Sequence, residues 1–362
     1  MLGIITFRAS LKYNICNSKV MVMTPLLHSK GRRYPEIDGL LSNDSFLNDF
    51  LILCQCKAYR RSADKTQVIT SPDNPHVRTR LFHANEVMGI AVPIAERLGL
   101  NVNLCMAIAM GHDIGHAPYG HTGEKVFTEY GKKPFKHNIF SVVIAQHIER
   151  RGRGLNLCYE TLEGILRHSA GPGALEFNPN QPQEYSVVLV SDKIAYTFSD
   201  INDAIRYGYL SEDALPKSAY ELGQNQMQRN RKLIEAVVTE SLEKGYVCFS
   251  EGEVFENFDS LKAFMYKEFY YKINHSLHEK ILYEACAFFD LHNLECYGVD
   301  PVICAALLTD SEINKFGSLL LETKRVSIDH IKHFGVFEIL PHLEGKKIDY
   351  CDADLDWELY SS

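Results

Sequence analysis

The sequence has 362 residues, of which 46% are hydrophobic and 23% are charged, and its formal net charge is −8. These values are ordinary for a globular protein with a sizeable core, and the negative charge argues against a protein that coats nucleic acid. The ten cysteines are scattered without a CxxC pair, so we expect reduced thiols in a cytoplasmic protein. No apolar run reaches the ~20 residues that a membrane span needs, so we expect no association with a membrane.

The first 56 residues show no strong periodicity and begin with a basic stretch. Six cations between Arg8 and Arg33 precede the first acidic residue, Glu36. Such a stretch is most often a solvated segment, and the alternative is a basic arm that touches DNA or a neighbouring subunit. We predict that residues 1–56 form an N-terminal segment packed on the core.

Helical periodicity dominates residues 57–210. One apolar stripe at helical spacing consists of His83, Val87, Ile90, Ile94 and Leu98. Gly99 follows this stripe at the position where a C-cap glycine ends a helix. A second apolar stretch, 102–110, runs into a loop rich in Gly and Pro at 115–123, and a further helix is predicted to begin near Glu184.

The helical pattern continues beyond residue 211. Amphipathic stretches lie at 232–244, 261–271 and 278–291, and an acidic segment follows at 349–358. The prediction is therefore a mainly α protein. It consists of a helical core over 57–210 and an additional C-terminal helical region over 211–362.

The residues that carry chemistry are concentrated in the predicted core. Eight of the fifteen histidines lie between His76 and His168. The strongest local signal is GHDIGH at 111–116, where an apolar helix meets a glycine loop. The adjacent His112 and Asp113 can supply an imidazole nitrogen and a carboxylate oxygen to one metal ion, although the dipeptide alone is a weak signal.

Two other positions strengthen the metal interpretation. His83 heads an apolar stripe, where a lone histidine is more often a core residue bonded to a backbone carbonyl. Asp192 follows an apolar run, so its buried carboxylate needs a cation, either a metal or Lys193. The predicted ligand set is His83, His112, Asp113 and Asp192. This mixed set suits Mn, Mg, Fe, Co or Ni better than a closed structural zinc site, and such an ion can polarise a phosphoryl oxygen.

The order His, HisAsp, Asp resembles the HD superfamily, and the surrounding sequence resembles its deoxynucleoside triphosphate triphosphohydrolase (dGTPase-like) branch. The matching stretches are AYRR at 58–61, KTQV at 65–68, RTRLFH at 78–83, GHDIGHAPYGHTGE at 111–124, KHN at 136–138, GLNL at 154–157, EGI at 163–165 and SDKIAY at 191–196. They cover roughly residues 45–210. Tyr119 and Ser62 stand where the family usually has Phe and Leu, and the C-terminal half matches only diffusely.

The resemblance implies catalytic roles for three residues. His121 and Glu124 occupy the family's catalytic positions, where His121 would relay a proton and Glu124 would orient its ring. His137 matches a further active-site histidine of the family. Without the resemblance, Glu124 would be interpreted as a capping-box residue of the helix that starts near His121.

The resemblance also implies a binding surface for the nucleotide. The triphosphate requires fixed cations, and the matching candidates are Arg80, Lys193 and Arg60, with its neighbour Arg61 as the alternative to Arg60. On the sugar side the candidates are Tyr196, Asp200 and Gln67, with Asp203 on the same helix face as the alternative to Asp200. The Tyr196 ring would exclude a 2′-hydroxyl, and Asp200 and Gln67 would bind the 3′-hydroxyl. An ordinary core tyrosine is the competing interpretation of Tyr196.

The implied reaction is metal-dependent hydrolysis of a deoxynucleoside triphosphate, dGTP or a broader set, to deoxynucleoside and inorganic triphosphate. Members of this family are often homo-oligomers, commonly hexamers, and respond to nucleotides or single-stranded DNA. One alternative is an HD-type phosphodiesterase or nucleotidase with another nucleotide substrate. The other is a non-catalytic nucleotide sensor, which the presence of all four predicted ligands together with His121 and Glu124 argues against.

Overall fold

The computed structural model describes residues 23–35, 41–70, 74, 76–169, 175–323 and 326–356. Within these ranges the chain forms helices and no β-strand, and extended pairing is limited to two isolated bridges, Arg32 with Cys158 and Thr66 with Thr79. The predicted mainly α fold is confirmed. None of the helices in these ranges is long and apolar enough to cross a bilayer. The basic residues before position 23 lie outside the described ranges.

The helices are α1 (Ser45–Gln55), α2 (Lys57–Arg61), α3 (Arg80–Leu98), α4 (Val102–Gly111), α5 (His121–Gly131), α6 (His137–Val143), α7 (Glu149–Gly152), α8 (Tyr159–Arg167), α9 (Gln183–Arg206), α10 (Lys217–Leu222), α11 (Gln226–Lys244), α12 (Glu253–Glu268), α13 (Ser276–Leu291), α14 (Pro301–Ala306), α15 (Asp310–Thr323) and α16 (Ile328–Ile331). A π-helix, Ile144–Ile148, connects α6 to α7. Short 3-10 turns lie at Ser62–Asp64, Glu212–Ala214, Tyr270–Lys272, Gly335–Glu338 and Leu340–His342.

Helices α3, α4 and α9 pack against one another at the centre of the fold. Helix α3 ends at Gly99, which has the left-handed φ of 69° that its C-cap position predicts. Helix α9 also contacts α8, α11 and α12, so it is surrounded by other helices and buried along most of its length. A helix with neighbours on all sides needs no single apolar stripe. Its buried polar residues are therefore held at defined positions in the interior.

The C-terminal region packs directly on the loops that precede the predicted site. The buried Asp310 carboxylate accepts the backbone N–H groups of Thr66 and Tyr119 at 2.9 and 3.0 Å. The buried Lys65 ammonium donates to the carbonyl oxygens of His116 and Ala306 at 2.5 and 3.0 Å. One hydrophobic core extends from Met23 to Tyr350. This core includes residues on both sides of positions 56 and 210, and the predicted divisions there stay predictions.

Candidate active site

A cavity of about 680 Å³ gathers residues from α3, α5, α6, α9 and the end of α12. The predicted site residues that line it are Gln67, Arg80, His83, Asp113, His121, Glu124, His137, Asp192, Lys193, Tyr196 and Asp200. The side chain of His112 lies against this wall, with its ring centre 5.4 Å from that of His83. Gln67 and Asp200, which are more than 130 residues apart in the sequence, thus line the same cavity.

His112 has the hydrogen bonding of a metal-ligating imidazole. Its Nδ1 lies 2.7 Å from the carbonyl oxygen of Ala109, so that nitrogen carries the proton and donates. Its Nε2 is buried and has no hydrogen-bond partner among the described residues. Burial lowers the pKa of His112, which favours the neutral ring whose Nε2 offers a lone pair. Ligand atoms of His83, His112 and Asp113 all lie within 4.8 Å of one another.

Asp192 lies beside this group and is close to His83 and Lys193. One carboxylate oxygen is 2.9 Å from Nε2 of His83, and the other is 3.7 Å from Nζ of Lys193. Burial opposes ionisation of Asp192, but His83 and Lys193 more than offset it and lower its pKa. The carboxylate is therefore charged. Two carboxylates and two imidazoles at the same wall fit a divalent ion of the Mn, Mg, Fe, Co or Ni type.

Arg80 is a fixed cation at the edge of the cluster. Its Nη1 lies 2.6 Å from Asp113 Oδ2, and both side chains are buried. Its other guanidinium nitrogens donate to the carbonyl oxygens of Thr66 and Gln67 at 3.0 and 3.1 Å. Burial opposes ionisation of Asp113, yet the neighbouring Arg80 guanidinium favours it, and the pKa of this carboxyl lies well below the usual range. Asp113 is therefore ionised.

Glu124 joins two histidines. Its Oε2 lies 2.7 Å from Nδ1 of His121, and its Oε1 lies 2.6 Å from Nδ1 of His137 and accepts the His137 backbone N–H at 2.8 Å. The capping-box alternative is wrong, because the helix is preceded by Gly120, which has no capping side chain. Burial opposes ionisation of Glu124, but His137 and His121 hold its pKa well below the usual range. An ionised Glu124 can therefore orient both rings.

Two further histidines complete the wall. His168, which the sequence interpretation did not single out, donates from Nδ1 to the Ile165 carbonyl and places Nε2 3.3 Å from Nε2 of His137. Burial and the neighbouring histidines lower its pKa to about 3. His116 stacks on His137 at 4.5 Å, and neither of its buried ring nitrogens has a partner among the described residues. The density of histidines between 76 and 168 was the signal that could have identified His168.

Two of the predicted sugar-binding residues, Tyr196 and Asp200, lie next to tyrosines of the C-terminal region. Asp200 accepts a hydrogen bond of 2.6 Å from the hydroxyl of Tyr270, and Tyr266 borders Tyr196. Asp200 Oδ1 and Gln67 Oε1 are buried and have no partner within the described ranges. Buried acceptors of this kind need a donor. A sugar hydroxyl is one group that can supply it.

Asp200 should make the folded protein less stable as the pH rises from about 4 to about 7. Burial raises the pKa of its carboxyl from 3.8 to about 7, so in this range the folded state retains a proton that the unfolded state has released. Asp200→Asn keeps the shape and cannot ionise. We expect its melting temperature to fall less between pH 4 and pH 8 than that of the wild type. Equal pH dependence in both proteins would contradict the raised pKa.

The structure does not bring Arg60 to this cavity. Arg60 is exposed at the end of the five-residue helix α2 and lines a different cavity. Arg61, the alternative, is largely buried with Nη2 3.5 Å from Glu149. The sequence interpretation wrongly placed one of these arginines at the phosphates. The cations that do line the cavity, within the described ranges, are Arg80, Lys193 and the exposed Lys136.

Comparisons with known proteins agree with this geometry. The HD domain family matches residues 80–197, which include all four predicted metal ligands. A "Deoxyguanosinetriphosphate triphosphohydrolase-like protein" of Caldanaerobacter subterraneus subsp. tengcongensis is 40% identical over 245 residues, 67% of this chain and 69% of the relative. Proteins with the same name from Desulfatibacillum aliphaticivorans and Clostridium tetani are 40% and 39% identical, over 63% and 62% of this chain and 64% and 66% of their own lengths. The chain therefore belongs to the deoxyguanosinetriphosphate triphosphohydrolase-like family of HD-domain proteins.

Proposed function

We propose that this protein is a metal-dependent hydrolase that converts a deoxynucleoside triphosphate to deoxynucleoside and inorganic triphosphate. The observation that carries the proposal is the position of the His/Asp cluster next to the histidine pair held by Glu124. The two groups meet where His137 Nε2 lies 3.8 Å from Asp113 Oδ1. The names of the relatives support the nucleotide substrate.

The metal would be held by His83, His112, Asp113 and Asp192. The unpartnered, buried Nε2 of His112 and the two ionised carboxylates support this assignment. When bound, a divalent ion supplies Lewis acidity toward a phosphoryl oxygen. We propose a divalent ion of the Mn, Mg, Fe, Co or Ni type.

Arg80 and Lys193 would bind the phosphates. The two carbonyl groups that hold the Arg80 guanidinium fix its direction before a ligand arrives, which reduces the entropy that binding costs. The Lys193 ammonium lies 3.7 Å from Asp192 and 5.5 Å from the centre of the Tyr196 ring, so it is close to a predicted metal ligand and to a predicted sugar-binding residue. A compact charge there complements the planar guanidinium.

His121 would move the proton of the reaction. Glu124 accepts the Nδ1 proton of His121, which leaves Nε2 as the nitrogen that can take a proton from the attacking water or deliver one to the 5′ oxygen. The His121 side chain is 77% exposed, so its ring is accessible from the open side of the cavity. His137, bound to the other carboxylate oxygen, would contact the same phosphate region.

Product analysis tests the reaction. The purified protein is incubated with each dNTP and Mn²⁺ or Mg²⁺ in ¹⁸O-labelled water, with and without a mixture of the other dNTPs. We expect deoxynucleoside and intact triphosphate, with ¹⁸O in the triphosphate because water attacks the α-phosphorus. Monophosphate and pyrophosphate would instead indicate another HD phosphohydrolase. Tight dNTP binding without turnover under every condition would indicate a nucleotide sensor.

A further inference from the structure

Four side chains that line the candidate active site form a second group of potential metal ligands. Each offers one ligand atom within 4.8 Å of the others, and they are His116, His121, Glu124 and His137. We call them the histidine–glutamate group. None of them belongs to the metal set proposed above, which we call the first site. An ion bound to the histidine–glutamate group therefore takes no ligand from the first site.

The composition of the histidine–glutamate group favours zinc. Imidazole nitrogens suit Zn²⁺, whereas Mg²⁺ and Mn²⁺ prefer sites dominated by carboxylate and carbonyl oxygens. Around a tetrahedral zinc ion with bonds of about 2.0–2.1 Å, the ligand atoms lie roughly 3.4 Å apart. Nδ1 of His121 and Nδ1 of His137 lie 2.7 and 2.6 Å from the two carboxylate oxygens of Glu124, and the ligand atoms of the group lie at most 4.8 Å apart. Modest side-chain rotations would therefore give a tetrahedral site.

His116 is the member of the group whose imidazole has no hydrogen-bond partner. Its side chain is fully buried, and neither ring nitrogen bonds to another of the described residues. Its ring centre lies 4.5 Å from that of His137, on which it stacks, and 5.3 Å from that of His121. Buried polar atoms nearly always have a partner, so this imidazole needs one. A metal ion is a partner that accepts the lone pair of a neutral ring.

The histidine–glutamate group combines enclosed ligands with an accessible one. The backbone of His116 is held by the buried Lys65 ammonium, which donates to its carbonyl oxygen at 2.5 Å. The side chains of Glu124 and His137 are 16% and 13% exposed, whereas that of His121 is 77% exposed. An ion can therefore enter from solvent beside His121. The same exposure should let the ion exchange more readily than an ion at the buried first site, so we expect it to be lost during gel filtration.

We propose that the histidine–glutamate group binds a Zn²⁺ ion and that this ion inhibits the enzyme. An ion on His121 would occupy a lone pair that general acid–base catalysis needs, and it would also engage the Glu124 carboxylate that orients the ring. The inhibition rests on the proposed function, because it removes the groups that move the proton there. The binding of zinc does not rest on that function.

His116→Phe tests the site because it removes one ligand and keeps a ring against His137. His278→Phe is the matched control. His278 also has a buried ring nitrogen without a partner in the described part of the chain, and its ring centre is likewise 4.5 Å from another ring, that of Tyr119. It belongs to none of the groups of potential ligands in those residues. A second variant, His116→Leu, serves if the larger phenylalanine ring prevents folding.

Metal content is measured at equilibrium. The full-length protein, loaded with Mn²⁺, is dialysed against buffered Zn²⁺, and total manganese and zinc per chain are determined without gel filtration. We expect two ions per chain in the wild type and in His278→Phe, and one ion in His116→Phe and His116→Leu. The affinity for the second ion should fall about 10²-fold or more, since loss of even an outer-shell partner of a metal ligand costs about 10–100-fold.

Two results would overturn the proposed site. One is a metal content in His116→Phe and His116→Leu that equals that of the wild type. The other is a second ion that His168→Phe loses and His116→Phe retains. That ion would lie instead at Asp113, His137 and His168, a second set of potential ligands that shares Asp113 with the first site.

Inhibition is measured as the effect of Zn²⁺ on turnover with Mn²⁺ in excess. Zinc should lower the kcat of the wild type and of His278→Phe about 10²-fold or more, the usual contribution of a general acid–base residue. It should not lower the residual kcat of His116→Phe further. Equal inhibition of His116→Phe would show that zinc acts by displacing manganese from the first site, and would overturn the inhibitory role. If no variant turns over any dNTP, the proposed function fails, and the metal content still decides whether zinc binds here.

Discussion

Asp113→Ala is expected to abolish both metal binding and turnover. Asp113 contributes to the group of potential ligand atoms with His83 and His112, and it pairs with Arg80 at 2.6 Å in a buried position. Alanine removes a metal ligand and leaves the Arg80 guanidinium without its carboxylate. Loss of one partner from a buried ion pair typically costs ~3–5 kcal/mol, so the variant should also melt at a lower temperature.

The measurement is metal content per chain, by elemental analysis after gel filtration, together with product formation from dNTPs. Asp203→Ala is the matched control, because Asp203 is also buried and pairs with an arginine, Arg78 at 2.9 Å, but does not line the cavity. It should lose stability and keep its metal. Full metal content in Asp113→Ala would remove Asp113 from the ligand set.

His121→Ala is expected to keep the metal and to lower kcat about 10²-fold or more, as general acid–base residues usually do. Within the described part of the chain, Glu124 is the one hydrogen-bond partner of the His121 ring, and the His121 side chain is 77% exposed. Its removal should therefore leave folding and metal binding intact. Glu124→Gln should lower kcat as well, because an amide cannot hold both histidine rings as a carboxylate does.

The measurement is kcat and KM at saturating metal, with metal content and melting temperature determined in parallel. His147→Ala is a suitable control, since His147 also lies near a carboxylate, 3.4 Å from Asp354, and is outside the cavity. Its kcat should match that of the wild type. Turnover near the wild-type rate in His121→Ala would show that His121 has a structural role.

The local features of the fold could be predicted from the sequence. The stripe from His83 to Leu98 and the glycine that follows it identify α3 and its end, because an amphipathic helix and its C-cap depend on nearby residues. The motif order also indicated which residues border the cavity. The proximity of His112, Asp113 and Asp192 followed from the hypothesis that these residues bind one metal ion, because ligands of one ion must lie close together.

The remaining features depend on tertiary packing. Arg60 and Arg80 occur in neighbouring motifs, but the direction of a side chain on the five-residue helix α2 cannot be read from periodicity over so short a segment. Tyr270 lies 70 residues from Asp200, and Asp310 lies 191 residues from Tyr119, so nothing in their local sequence indicates these partners. His168 had a local signal, the histidine density, and no motif that distinguished it.

The contribution of the C-terminal region to the cavity has a consequence for protein synthesis. A nascent chain that has emerged as far as residue 210 contains all four predicted metal ligands but lacks Tyr270 and Asp310. In such a chain Asp200 has no Tyr270 beside it, and the loop around Tyr119 has no carboxylate to hold it. The ribosome therefore completes the wall of the cavity only with the last third of the polypeptide. Premature termination would release a chain that has the predicted metal ligands and an incomplete cavity.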